Sequence, residues 1–232
     1  MIYFYHPDII KGSFELPEEE HMHCSKVLRK TAGDKIGIYD GIGGDYTIQL
    51  TEVSKKVTKF EVVEKKQLPA KKFYNHIAIA PTKNIDRIEW FVEKACELSV
   101  DEISLILTKN CERTKIRIDR LEKKAVSALK QSKSGYLTKI NDLVKFDLFL
   151  KNTSADSKFI AVVENNLPYY SKVIQPDNSI LTLIGPEGDF TPEEASKACT
   201  SGFEKISLGS STLRTETAGL AAGHFVNMIN EY

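Results

Sequence analysis

Three charged residues sit on two glycine-bearing turns late in the 232-residue chain. Glu187 lies in LIGPEGDF (183–190), and Arg214 and Glu216 lie in LGSSTLRTETAG (208–219). Each turn follows an apolar, strand-like run, and open α/β sheets place their ligands in the crevice outside the carboxyl ends of the strands. Gly185 and Gly188 let the backbone approach a ligand closely or take positive φ, Pro186 stiffens the first loop, and Leu183, Ile184, Leu208 and Leu213 offer apolar flanks to a flat ring. A buried or half-buried Arg214 near Glu216 is expected to be paired, and charged groups are rarely placed in a crevice for stability alone. A glycine turn after a strand is more often only a turn. It is the pair, with their charges, that points to one pocket. Neither GxGxxG nor GxxxxGK[ST] occurs, so neither a dinucleotide nor a nucleoside triphosphate is supported.

These turns need rigid neighbours. Between them Thr191 suits a helix cap, Pro192 the first helical position, Glu194 the reciprocal half of a capping box, and Gly202 the end. After Arg214, TETAGLAAGHFVNMINEY reads as a terminal helix with small residues along one side, suited to close packing within the chain or between two copies. Upstream, HIAIAPT (76–82), EISLIL (102–107), FIAVV (159–163) and ILTLI (180–184) read as strands, alternating with helical patterns such as Ile88, Phe91, Val92, Ala95 and Leu98. Such alternation predicts a mostly parallel sheet covered by helices over residues 71–232. Residues 1–70 read differently. Short β runs (IYFYH, KIGIYDG, DYTIQLTEV, VTKFEVVEKK), interrupted by one helical piece after Pro17, predict a small β-barrel. QLPAKK reads as the linker.

Lys plus Arg and Asp plus Glu both total 32, which argues against a general affinity for nucleic acid. Their distribution does not. Between Lys109 and Lys139 ten basic residues face three acidic ones, a candidate phosphate track or simply a solvated helix face. The four cysteines have no CxxC spacing, so no metal site or disulfide framework is indicated, and they read as buried thiols. His21 and His23, two apart, do not share a helix face and read as polar surface residues. No segment is long and apolar enough for a membrane helix, and MIYFYHPDIIKG does not resemble a signal peptide, so a cytoplasmic location is expected.

GPEGDF, LGSSTLRTETAG, EKACELSVDEI (93–103) and the amino-terminal HxxxVLRKxxGD, in that arrangement over essentially the whole chain, resemble the RsmE family of bacterial methyltransferases that modify N3 of a uridine in small-subunit ribosomal RNA. The resemblance implies the SPOUT α/β fold with a trefoil knot at the carboxyl end, a PUA-like barrel for RNA, a homodimer, and S-adenosylmethionine in the pocket. Its cofactor contacts would be Leu183, Ile184, Gly185, Pro186, Glu187, Gly188, Leu208, Gly209, Ser210, Leu213, Arg214 and Thr215. Arg214 and Glu216 would serve catalysis. Arg29, Lys30, Lys83, Arg87, Arg113, Arg117, Gln131 and Lys133 would meet RNA. Two departures stand out. Asp189 replaces the second glycine of the family's GPEGGF, and Lys130, Ser134 and Thr138 replace residues of a family EQxxR and proline pattern.

Methyl transfer requires alignment above all, because holding two reactants in attack geometry is worth roughly 7–11 kcal/mol, more than a general base supplies. Glu187, Asp189 and Glu216 are the carboxylates available as a base. The competing class is an RNA-binding protein in which Asp189 has spoiled the pocket. A dehydrogenase on a doubly wound sheet is weakened by the missing fingerprint.

Overall fold

The computed structural model describes residues 1–231, which form two compact units. One comprises residues 1–70 with 126–137, the other residues 71–125 with 138 onward. In the first unit β1 (Tyr3–Tyr5), β2 (Lys35–Tyr39), β3 (Gly44–Val53) and β4 (Thr58–Gln67) lie in that order in one sheet. β1 and β2 run parallel and the other pairs antiparallel. The period of two along β3 turns Tyr46, Ile48 and Leu50 inward, where they join Phe4, Ile36, Ile38 and Phe60 in one core. Among the described residues no ladder joins β1 to β4, so the expected barrel is a four-stranded sheet. The chain after β1 goes into helical turns, and only a short segment returns to the β4 edge, where Leu16 N–H donates to Thr58 O and Phe60 N–H to Phe14 O.

The helical piece is α1 (Glu18–Met22), continued by a π-helical turn over His23–Val27 that puts Cys24 in the core. His21 is buried, with Nδ1 2.8 Å from Thr58 Oγ1, and so is not the surface residue expected. A split at 70/71 also omits residues 126–137 from this unit. Leu137 N–H donates to Gly41 O, Gly43 N–H to Gly135 O and Tyr136 O–H to Leu68 O, while Lys130 pairs with Glu20 at 2.6 Å. These bonds are long-range in sequence and leave no local signature.

The second unit holds six strands: β5 (Tyr74–Ile79), β6 (Glu102–Leu107), β7 (Lys139–Lys145), β8 (Ser157–Ala161), β9 (Ser179–Ile184) and β10 (Glu204–Ile206). Their order is β10-β8-β9-β5-β6-β7, and every ladder is parallel. All carboxyl ends therefore open on one edge. The helices are α2 (Ile85–Glu97), α3 (Ile118–Ser132, of which residues from 126 on belong to the first unit), α4 (Phe146–Asn152), α5 (Tyr170–Val173), α6 (Pro192–Thr200) and α7 (Thr215–Ile229). One core cluster joins Ala78, Ile160, Leu181 and Leu183 to Phe146, Phe149, Phe190 and Ala195. Elsewhere α7 meets α2 and β5 so closely that a Cβ on Gly219 would fall 2.6 Å from Phe91 Cε2 and 3.1 Å from Ile79 Cδ1. The small-residue side of the terminal helix thus packs within the chain. Phe91 is buried and Trp90 exposed. Cys24, Cys96 and Cys111 are buried; Cys199 is exposed, near the end of α6 and beyond its inward Ala195 and Ala198. Among the described residues no helix is long and apolar enough to cross a membrane.

Candidate active site

At the carboxyl edge of the sheet, three loops enclose a cavity of about 850 Å³, within the range of small-molecule sites. The first wall is the turn after β9. Asp189 N–H donates to Pro186 O at 3.0 Å and closes it, and Gly185 lies so tightly against the Phe190 ring that a Cβ there would be 3.1 Å from Cδ2. The turn is also bonded to its neighbours in the second unit. Glu187 Oε1 accepts from Lys83 N–H at 3.0 Å, and Asn110 Nδ2 donates to Gly188 O and Asp189 O at 2.9 and 3.0 Å.

The expected capping box on α6 is present, with Thr191 Oγ1 accepting from Glu194 N–H at 3.2 Å and Glu194 Oε2 accepting from Thr191 N–H at 3.0 Å. Glu194 Oε1 also accepts from Lys109 N–H at 2.8 Å, which fastens the α6 end to the loop after β6.

The second wall, residues 207–215, follows β10 and leads into α7. Ser207 Oγ donates to Gly209 O, and Tyr170 N–H donates to Ser207 O. Arg214 is the N-cap residue of α7 and is exposed; its carbonyl accepts from Ala218 N–H at 2.8 Å, and its guanidinium makes no hydrogen bond or ion pair among the described residues. The third wall, residues 161–167 with Tyr169, comes from the loop after β8. At its far end the fully buried Tyr170 places its hydroxyl 2.6 Å from Thr182 Oγ1 on β9. Sequence reasoning missed this wall. Its turn signal was present in Asn165, Asn166 and Pro168, with Asn166 at φ 62, but only the strand order shows that β8 lies beside β9.

Of the expected cofactor residues, Ile184, Gly185, Pro186, Glu187, Leu208, Gly209, Ser210, Leu213, Arg214 and Thr215 line the cavity. Leu183 instead points into the sheet core, and Gly188 backs against Asn110. Glu216 is buried away from the cavity lining. Its Oε1 lies 3.8 Å from Arg87 Nε and its Oε2 has no hydrogen-bond partner among the described residues. The walls carry the carboxylates Glu164, Glu187 and Asp189 against the single guanidinium of Arg214, and Glu164 is paired with Lys205 at 2.6 Å.

The residues expected to meet RNA are scattered. Arg29, at φ 51, and Lys30, 4.0 Å from Asp34, lie in the first unit, as do Gln131 and Lys133, the latter at φ 59. In the second unit Lys83 pairs with Glu112 at 2.9 Å and the exposed Arg117 with Asp119 at 2.6 Å. Arg113 is committed to the backbone, its Nε donating to Thr82 O at 3.1 Å and its Nη2 to Lys83 O at 2.6 Å.

The chain matches the model of the RNA methyltransferase domain over residues 69–227 and that of the RNA methyltransferase PUA domain over residues 16–62. It superposes on a probable rRNA-methyltransferase from Porphyromonas gingivalis with a TM-score of 0.92 and 36% identity, over 100% of this chain and 99% of that one. A ribosomal RNA small subunit methyltransferase E from Neisseria gonorrhoeae, crystallised with S-adenosyl methionine, gives 0.88 and 26% over 99% and 98%. In sequence it is 26% identical to the ribosomal RNA small subunit methyltransferase E of Rickettsia conorii, over 95% of this chain and 92% of that protein.

Proposed function

The chain belongs to the RNA methyltransferase family, in its ribosomal RNA small subunit methyltransferase E branch, and from that premise we propose that it transfers a methyl group from S-adenosylmethionine to N3 of a uridine in small-subunit ribosomal RNA. The observation that carries the reading is the cavity at the carboxyl edge with the unpaired Arg214 on its wall.

The residues present fit such a cofactor. Ile184, Leu208 and Leu213 offer apolar walls to a flat ring, and carboxylates outnumber the single guanidinium, which suits a ligand carrying a cationic centre. The bound cofactor supplies an electrophilic methyl group on a sulfonium. The chain supplies alignment and charge. The three walls, the first joined to the third through the Asp189 carboxylate and the third to the second through backbone bonds at Ser207, hold the reactants in attack geometry, the larger contribution to rate. Arg214 stabilises the uracil anion once N3 has released its proton to solvent, a preorganised electrostatic role. Glu187 and Asp189 are occupied by backbone N–H groups, and Glu216 faces Arg87, so Glu216 acts by orienting Arg87 toward the RNA.

The two units divide the work, with the PUA-type unit, the basic residues Arg29, Lys30, Arg117 and Lys133 and the neutral Gln131 holding RNA, and the unit of residues 71–125 with 138 onward holding the cofactor. A trefoil knot accounts for the chain path. β10 lies at one edge of the sheet, yet α7, which follows it, returns to pack on α2 and β5 near the middle. A homodimer and a cytoplasmic location complete the reading. The non-catalytic alternative required Asp189 to spoil the pocket, but Asp189 adopts the left-handed conformation, φ 56, and the turn closes around it.

Two measurements test the proposal. Calorimetry should show binding of S-adenosylmethionine and its demethylated product, and mass mapping of ribosomal RNA from cells lacking the gene should show one uridine unmethylated. Replacing Arg214 by Ala should leave cofactor affinity within a few-fold and lower kcat by roughly 10²–10³. An RNA modification map identical with and without the gene refutes the assignment.

A further inference from the structure

We propose that Asp189 is a positioning residue whose carboxylate latches the loop after β8 onto the turn after β9, so that two walls of the cavity are set against each other before any ligand arrives. Only the affinity and kinetic readouts below rest on the cofactor reading.

Closure of the Pro186–Asp189 turn puts Asp189 at φ 56. A Cβ is disfavoured there, and Asp and Asn tolerate it best because a short polar side chain can bond locally. Asp189 does so with one oxygen, Oδ1 accepting from Phe190 N–H at 2.7 Å. Its other oxygen reaches across the cavity wall, Oδ2 accepting from Val163 N–H at 3.1 Å. Val163 is the first exposed residue of the third wall, just beyond the ladder, where Val162 N–H still bonds Ile206 O. Beyond Val162, which packs against the core cluster, apolar burial does not hold that wall. Residues 163–166 are exposed, and the Val163 side chain is 70% exposed. Its attachments are therefore polar, with Asp189 at one end and Tyr170 at the other.

The carboxylate is itself seated, since a Cβ on Gly185 would lie 3.2 Å from Asp189 Oδ1. Among the described residues no cation pairs with the Asp189 carboxylate, so the bonds from Val163 N–H and Phe190 N–H are the whole of that carboxylate's engagement. A glycine at 189, as in the family's GPEGGF, makes the turn with less strain but has no acceptor to offer Val163.

The test uses the full-length protein with D189G and D189N. Residue-resolved amide exchange without ligand should show Val163 protected in the wild type, less so in D189N, which keeps one acceptor oxygen, and at least about tenfold less in D189G. The thermal midpoint of D189G should be unchanged or higher, because glycine relaxes the left-handed position. Affinity for S-adenosylhomocysteine should fall about tenfold in D189G, a decade being about 1.4 kcal/mol, with D189N between. KM for the methyl donor should rise while kcat is preserved, whereas a merely unstable variant would lose both.

Val163 exchange in D189G within twofold of wild type would overturn the latch. So would a D189N protein that binds as poorly as D189G while keeping Val163 protected, since charge and not attachment would then be responsible. Failure of the wild type to bind S-adenosylhomocysteine would refute the cofactor reading and leave the exchange rates to decide the latch.

Discussion

Removing the Glu194 carboxylate should destabilise the second unit far more than loss of an ordinary helix cap. Glu194 is only 9% exposed, and its two oxygens serve two chain segments, Oε2 the Thr191 N–H at the start of α6 and Oε1 the Lys109 N–H beyond β6. A hydrogen bond to a charged group is worth about 1.5–3 kcal/mol, the lower figure applying at Lys109, where solvent reaches the freed N–H. Glu194→Ala should therefore cost about 3–4 kcal/mol, including the carboxylate's favourable place at the helix N-terminus. Thr191→Ala, which removes only the cap, should cost about 1 kcal/mol. Glu194→Gln is the sharper test. A glutamine has one acceptor oxygen for two donors and turns an NH2 group against the other N–H, so it should still cost about 2 kcal/mol. Urea denaturation at pH 7, comparing midpoints at constant m, measures all three. Cofactor affinity should fall in parallel, because Asn110 in the loosened loop holds Gly188 and Asp189. A Glu194→Gln protein within about 0.5 kcal/mol of wild type would show that the two segments are not held through one carboxylate.

Acid should destabilise the protein in two windows. Burial pushes His76, bonded through Nε2 to Ser104 Oγ at 2.8 Å, down from 6.5 to about 4. Below pH 6.5 the unfolded chain takes up a proton that the folded one refuses, so stability falls by about 3 kcal/mol as pH drops toward 4, and His76→Gln should flatten that slope in urea titrations. Burial works to raise Glu102, but the charge of His76 and hydrogen bonds from Asn141, Lys139 and Tyr74 outweigh it and hold the carboxyl at about 2. Its contribution is complete above pH 4.5 and is lost as pH falls toward 2. Among the basic residues, Arg117→Ala with Lys133→Ala should weaken RNA binding and reduce its salt slope by roughly one for each phosphate no longer neutralised, without affecting cofactor affinity. Arg113→Ala should in addition cost about 1–2 kcal/mol of stability, since its guanidinium holds the carbonyls of Thr82 and Lys83. Filter binding across salt concentrations separates the two, and unaltered RNA affinity would return the basic segment to a solvated helix face.

Local chemistry was legible in the sequence. The α6 cap was readable because Thr191, Pro192 and Glu194 lie within one turn and satisfy one another. The strands Glu102–Leu107 and Ser179–Ile184 were readable because a strand buried on both faces is written as an unbroken apolar run. The four-motif resemblance identified the family. Tertiary structure alone decided which loops share the cavity, because strand order is set by long-range packing and not by residues adjacent in the chain. That order placed the loop after β8 beside the GPEGDF turn, and other long-range contacts turned Glu216 toward Arg87, committed Arg113 to backbone carbonyls and brought residues 126–137 into the first unit. It also resolved Asp189. In sequence it was one altered letter in a glycine motif. In the fold its carboxylate bonds Val163, 26 residues earlier, a bond made only once two parallel strands lie side by side.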